Sequence, residues 1–334
     1  MSLSRYCVGA ALLLSLGLAL PARAAAGETL TQSVQKGLNY LVPDVVAFSR
    51  QNSCQACHRQ GAALFGASVA KAGGYTVNTS DTQGLGYLAL RAVQDQTAGG
   101  FWIHDANTFR NSKTSYAFFG LAGYDQLVST RFSQQLVKAA EASLAVQQAN
   151  GRWIEEHQSL PTTYGDVPTT ARIMMGIAQA RARVDAVAAE RYAARLTLAA
   201  KWLRDNRSNP SEQVMGYSFQ RAYALLGLNA VGASATDADV VFFQNALLGS
   251  TSAATGRGWG YTAGHAADEY NTGLALYALC RSGVSLRDST RVRDAANWLR
   301  DRQNPRGYWQ SSQFETLDIP TTFASLGLAC FGEL

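Results

Sequence analysis

The sequence predicts an all-α fold: an (α/α)6 toroid, a closed ring of six helical hairpins. Three observations predict it. A phrase made of a helix, a Gly- and Trp-rich loop and a second helix returns roughly every 50 residues. The second helix of each phrase is the more apolar, which suits an inner helix buried on most sides and an amphipathic outer partner. The phrase occurs six times without a polar terminal cap repeat, which favours closure over an open solenoid.

Taken in order, residues 1–26 are a targeting segment: Arg5 gives a basic start, Val8 to Leu20 an apolar run, and Ala22-Arg23-Ala24 or Ala24–Ala26 a small-residue cleavage site. The run is too short for a comfortable transmembrane helix, and no later stretch replaces it. The expectation is an exported protein of the bacterial periplasm, with residues 27–334 as one toroid domain. Removal of residues 1–26 lowers the formal charge from +5 to +3. So mild and interspersed a balance argues against nucleic acid or an anionic membrane as partner.

The outer helices end in an aromatic-Leu pair: Tyr40-Leu41, Tyr87-Leu88, Trp202-Leu203 and Trp298-Leu299, with Ser143-Leu144 degenerate and the fifth copy weaker. The loops carry Trp102, Trp153, Trp259 and Trp309, each one or two residues after a Gly. The inner helices are expected at about 61–72, 115–122, 169–180, 220–230, 271–279 and 321–329. Gly73, Gly123, Gly232, Gly283 and Gly332 stop five of them. Pro168 and Pro320 stand just inside helix starts, where the missing N–H costs little.

The first repeat carries Cys54-Gln55-Ala56-Cys57-His58, the spacing of c-type haem attachment. Two thiols can add to the two vinyl groups of a porphyrin, and the next side chain reaches the iron. Cys54 and Cys57 are the expected anchors of one haem c, and His58 the expected proximal iron ligand. A redox CxxC, half a zinc site and a plain disulfide are the alternatives; no βαβ context and no second ligand pair support the first two.

The patterns Gly-x-Trp…Thr-Thr-Ala and Gly-Trp-Gly-Tyr…Asn-Thr-Gly-Leu-Ala-Leu, over nearly all of residues 31–334, resemble the prenyltransferase and squalene-cyclase repeat. That resemblance implies the toroid. It does not imply the chemistry, because the Asp-x-Asp-Asp proton-donor motif and the prenyltransferase zinc ligands have no match here. A nearer likeness is to exported bacterial proteins of this repeat class with Cys-x-x-Cys-His in the first repeat, which implies no particular activity.

The motif occupies the slot of the Gly/Trp loop, so the haem is expected at the mouth of the ring, over the N-termini of the inner helices. His104, His265 and Met215 are candidate distal ligands, ahead of His157, and an open sixth position is equally credible. Asp166, Asp268 and Asp318 recur just before the inner helices, as helix-start acids or as general acid/base groups. Tyr116, Tyr223, Tyr270 and Phe323 either line a pocket or pack the core. Cys280 and Cys330 fall at equivalent positions on neighbouring inner helices, and two buried thiols are favoured over a disulfide there.

Three functions compete: a haem protein with a redox or electron-transfer role and a redox partner protein, a peroxidase- or oxygenase-like haem oxidoreductase for an apolar small molecule in the ring, and a cofactor-stapled binding or sensor module. The first is favoured, because covalent haem of this kind most often transfers electrons.

Overall fold

The computed structural model describes residues 27–52, 57–103, 110–211, 213–252 and 256–332. The expected targeting segment lies outside them. No helix among the described residues is long and apolar enough to cross a membrane.

The described chain is built of α-helices joined by loops, in the order α1 (Leu30–Gln51), α2 (His58–Ala72), α3 (Leu85–Asp95), α4 (Arg110–Leu127), α5 (Ser133–Ala145), α6 (Asp166–Arg181), α7 (Ala186–Asp205), α8 (Ser218–Ala230), α9 (Ala238–Gly249), α10 (Glu269–Arg281), α11 (Thr290–Asp301) and α12 (Asp318–Ala329). The even-numbered helices form the inner ring. Each packs on the next and α12 packs back on α2. Their sequences dictate that place: α4 is buried at nearly every residue from Asn111 to Asp125. In α11 only Val292, Ala295, Ala296 and Leu299 are buried, a stripe at helical spacing that turns one face inward.

Closure rests on polar contacts as well as packing. The Gln303 side chain accepts from Ser33 Oγ at 2.7 Å and donates to Ser33 O at 2.9 Å, tying the last hairpin to the first. Arg59 on α2 pairs with Asp318 on α12. Both are buried or nearly so, where a satisfied polar group fixes register.

The recurring Gly-Trp…Thr phrase has a physical reason. The indole N–H of Trp102, Trp153, Trp259 and Trp309 donates to an outer-helix carbonyl, of Ala92, Ser143, Leu247 and Leu299, at 2.7–2.8 Å. The backbone N–H of the same four residues donates to Thr114, Thr170, Thr272 and Thr321 of the following inner helix, at 2.9–3.0 Å. Each fully buried Trp thus spends its N–H groups on joining outer to inner helix while filling the space between. Gly307 precedes one of these loops at φ 102°, and a Cβ there would overlap the Lys36 carbonyl of α1.

Inner helices start earlier than expected. α6 begins at Asp166 and α12 at Asp318, so Pro168 and Pro320 are third residues rather than starts. The first-turn acids favour this, since the orphan N–H groups there attract negative charge. Cys280 and Cys330 are not the two buried thiols favoured above. They form a disulfide across the ends of α10 and α12, with Cα atoms 6.2 Å apart.

Candidate functional site

Two residues beyond the loop-binding threonines, the inner helices place Tyr116, Arg172 and Phe323 inside the ring, with Tyr223 joining from α8; all four are fully buried. The Arg172 guanidinium lies 3.9 Å from the Tyr116 ring centroid and 5.0 Å from that of Tyr223. Its Nε donates to Ser115 Oγ at 3.0 Å and its Nη2 to Thr169 Oγ1 at 3.2 Å. The balancing charge is Glu155, 3.8 Å away and equally buried. Glu155 accepts hydrogen bonds from Ser112 Oγ, Thr169 Oγ1 and the backbone N–H of His157. The sequence reading missed this pair; the signals were a lone Arg inside an apolar helix and an acid two residues after a loop Trp.

His58 starts α2 with its ring edge-on to Tyr116, centroids 6.2 Å apart. Burial lowers its pKa to about 4, and the charges of Arg59, His157 and Arg172 push the same way while Asp318 opposes them, so the imidazole is neutral. His157 is exposed, and its Nδ1 lies 2.8 Å from Thr163 Oγ1. Asp318 belongs to this cluster through Arg59.

Asp166 is a positioning acid for the loop. It accepts from the Glu155 backbone N–H at 2.8 Å and pairs with Arg152 at 2.8 Å.

Asp268 has a different setting. It caps α10, accepting from the backbone N–H and side-chain Nδ2 of Asn271 at 2.9 and 2.7 Å. Burial nonetheless raises its pKa to about 7, outweighing those hydrogen bonds. The Asn271 Oδ1 atom has no partner, so a flipped amide would accept a hydrogen bond from the protonated acid. An aromatic wall stands beside it. Tyr261, which feels the Asp268 charge, packs edge-on to Tyr217 at 5.7 Å, and Tyr217 in turn to Tyr164 at 5.7 Å. Phe219 and Tyr270 continue the wall toward Phe314 and Phe323. His265 borders it, 6.0 Å from the Tyr261 ring and hydrogen-bonded to Thr262.

No protein-family model matches the chain, and no curated protein does. Solved structures do. One is an unsaturated glucuronyl hydrolase specific for heparin, with a TM-score of 0.61 and 9% identity over 90% of this chain and 96% of that one. Another is the type II terpene cyclase MstE from Scytonema, with a TM-score of 0.58 and 14% identity over 90% of this chain and 97% of that one. At such identities the likeness establishes the fold, an α/α toroid.

These findings correct the expected haem redox role, together with its oxidoreductase and cofactor-stapled alternatives. The chains of like fold are a hydrolase and a cyclase. Among the described residues, no three His, Cys, Asp or Glu side chains are grouped to hold a metal ion. Of the residues expected around the iron, Met215 is buried in the apolar core, His265 sits against Tyr261, and the charge of His157 reaches His58. The Cys57 thiol is turned inward and donates to Gln60 Oε1 at 2.8 Å. Cys54 and His104 lie outside the described residues, so the attachment of haem c at Cys54 and Cys57 stays an expectation of the sequence.

Proposed function

We propose that the chain is a toroid enzyme of the hydrolase type, acting on a saccharide-like substrate at the N-terminal ends of its inner helices, with Asp268 as proton donor. The observation that carries this reading is a buried carboxyl beside a wall of tyrosines, its pKa raised by burial to about 7. A general acid is most useful when its pKa lies near the working pH. A raised carboxyl beside aromatic surface is the arrangement by which glycosidic bonds are protonated. Aromatic faces suit the C–H face of a sugar ring.

In the proposed step a sugar lies against Tyr217 and Tyr261. Asp268 gives its proton to the leaving oxygen as the C–O bond breaks. Water adds to the carbon and returns a proton to the carboxylate, so the enzyme ends as it began. The glucuronyl hydrolase of like fold supports the reaction class. A cyclase reading is disfavoured, because the buried guanidinium of Arg172 would repel a carbocation in the ring interior. We place the enzyme in the periplasm, after export by residues 1–26; the Cys280–Cys330 disulfide is in keeping with an oxidising compartment.

The test is turnover of unsaturated uronyl disaccharides from heparin and of aryl glycosides by wild type and Asp268→Asn. The amide keeps the helix cap and removes the proton, so helical content should be retained while turnover falls at least 100-fold. Unchanged turnover in a folded Asp268→Asn variant would remove Asp268 from the role.

A further inference from the structure

The C-terminal ends of all six inner helices surround a second feature, a hollow of about 640 Å³ on the ring axis. It lies beyond the layer of Tyr116, Arg172, Tyr223 and Phe323. From Arg172 to Gln179 on its lip is seven residues of α6, about 10 Å along the axis. The volume is in the range of small-molecule sites.

Its chemistry is sorted by depth. Phe65, Leu226 and Tyr277 form a buried apolar floor, with Phe65 stacked on Phe119 at 3.7 Å and edge-on to Tyr277 at 5.9 Å. The lip carries Asn229 and Arg281. The Asn229 Nδ2 atom is buried without a hydrogen-bond partner, which is costly unless a ligand accepts from it. Arg281 is exposed and makes no ion pair among the described residues, yet its charge reaches Tyr277. No acid lines the hollow. The nearby Asp125 is already taken up by Arg183 at 2.8 Å.

We infer that this hollow is a binding site for a small amphipathic carboxylate, its apolar body on Phe65, Leu226 and Tyr277 and its head group accepting from Asn229 and Arg281. The carbonyl ends of six helices would by themselves draw a cation to this end of the ring. Against them, the last turns carry Lys71, Arg181 and Arg281, and the buried unpartnered atom at the lip, Asn229 Nδ2, is a donor. The site is independent of the chemistry proposed at Asp268.

Calorimetric titration of the full chain with decanoate, and with decyltrimethylammonium as the head-group control, tests it. Decanoate should saturate at one per chain and the cation should not. Arg281→Gln should weaken decanoate at least tenfold, and Leu226→Trp, which fills the floor, should abolish binding. Should Leu226→Trp not fold, Ala178→Trp fills the half-buried wall instead and should have the same effect. None of these substitutions touches the Asp268 end, so hydrolytic turnover, where present, should be unchanged. Absent saturation, equal binding of the cation, or indifference to both Arg281→Gln and the filling substitution overturns the inference.

Discussion

Gly327 of α12 lies directly against the backbone of Gly273 of α10: a Cβ on Gly327 would overlap the Gly273 carbonyl, and one on Gly273 the Phe323 carbonyl. Gly120 and Gly61 repeat the relationship between α4 and α2. These are contacts that only hydrogen side chains permit, and they bring the helix ends close enough for Cys280 and Cys330 to bond. Gly327→Ala should therefore force α10 and α12 apart and cost about 1–3 kcal/mol. Gly249→Ala, at a helix end with nothing within 4 Å of the added carbon, is the control and should be neutral or slightly stabilising. Urea unfolding of the two variants separates a packing effect from a backbone-entropy effect. Equal stability of the two would show that the helices part at no cost.

The ring was legible in the sequence because its cause is periodic. In four of the six repeats the Trp and the Thr make the same two contacts, so the phrase that recurs is the joint between outer and inner helix. The starts of α6 and α12 lie three residues before the expected ones because Asp166 and Asp318 look like caps, whereas burial draws them into the first turn. The disulfide was underestimated because Gly273 and Gly327 let the backbones of α10 and α12 meet, which needs both neighbours to be known. The Arg172–Glu155 pair was invisible for a similar reason: its members lie on separate segments and meet only once the loop after Trp153 folds back. The Cys-x-x-Cys-His spacing pointed to a redox role, whereas the chains of like fold are a hydrolase and a cyclase.

Arg172 and Glu155 are both fully buried, so each is tolerable only because of the other. Arg172→Met leaves the Glu155 carboxylate with hydroxyl partners but no cation, and should destabilise the protein by about 3–5 kcal/mol. Glu155→Gln should do comparable harm by stranding the guanidinium between Tyr116 and Tyr223. The double variant should recover much of the loss, because two desolvated charges vanish together. Additive losses in the cycle would mean that the two groups are held by their hydrogen bonds and not by each other.

Asp268 makes stability depend on pH with a sign opposite to that of an ion-paired acid. Burial raises its pKa from an ordinary 3.8 to about 7 in the folded chain. Below pH 4, folded and unfolded chains both hold the proton, and the group does not oppose folding. Between about pH 4 and 7 only the folded chain keeps it, so stability falls as pH rises, by at most about 1.4 kcal/mol per pH unit. Above 7 the penalty is constant. Asp268→Asn cannot ionise and lacks the slope. Urea midpoints measured from pH 5 to pH 8 should show wild type losing up to about 3 kcal/mol relative to the variant, with the other titrating groups cancelling in the difference. Over the same range, the proton donor empties through pH 7, and hydrolytic turnover should fall with it. Stability curves that run parallel across this range would mean that the carboxyl is ionised when folded, and it could then donate no proton at neutral pH.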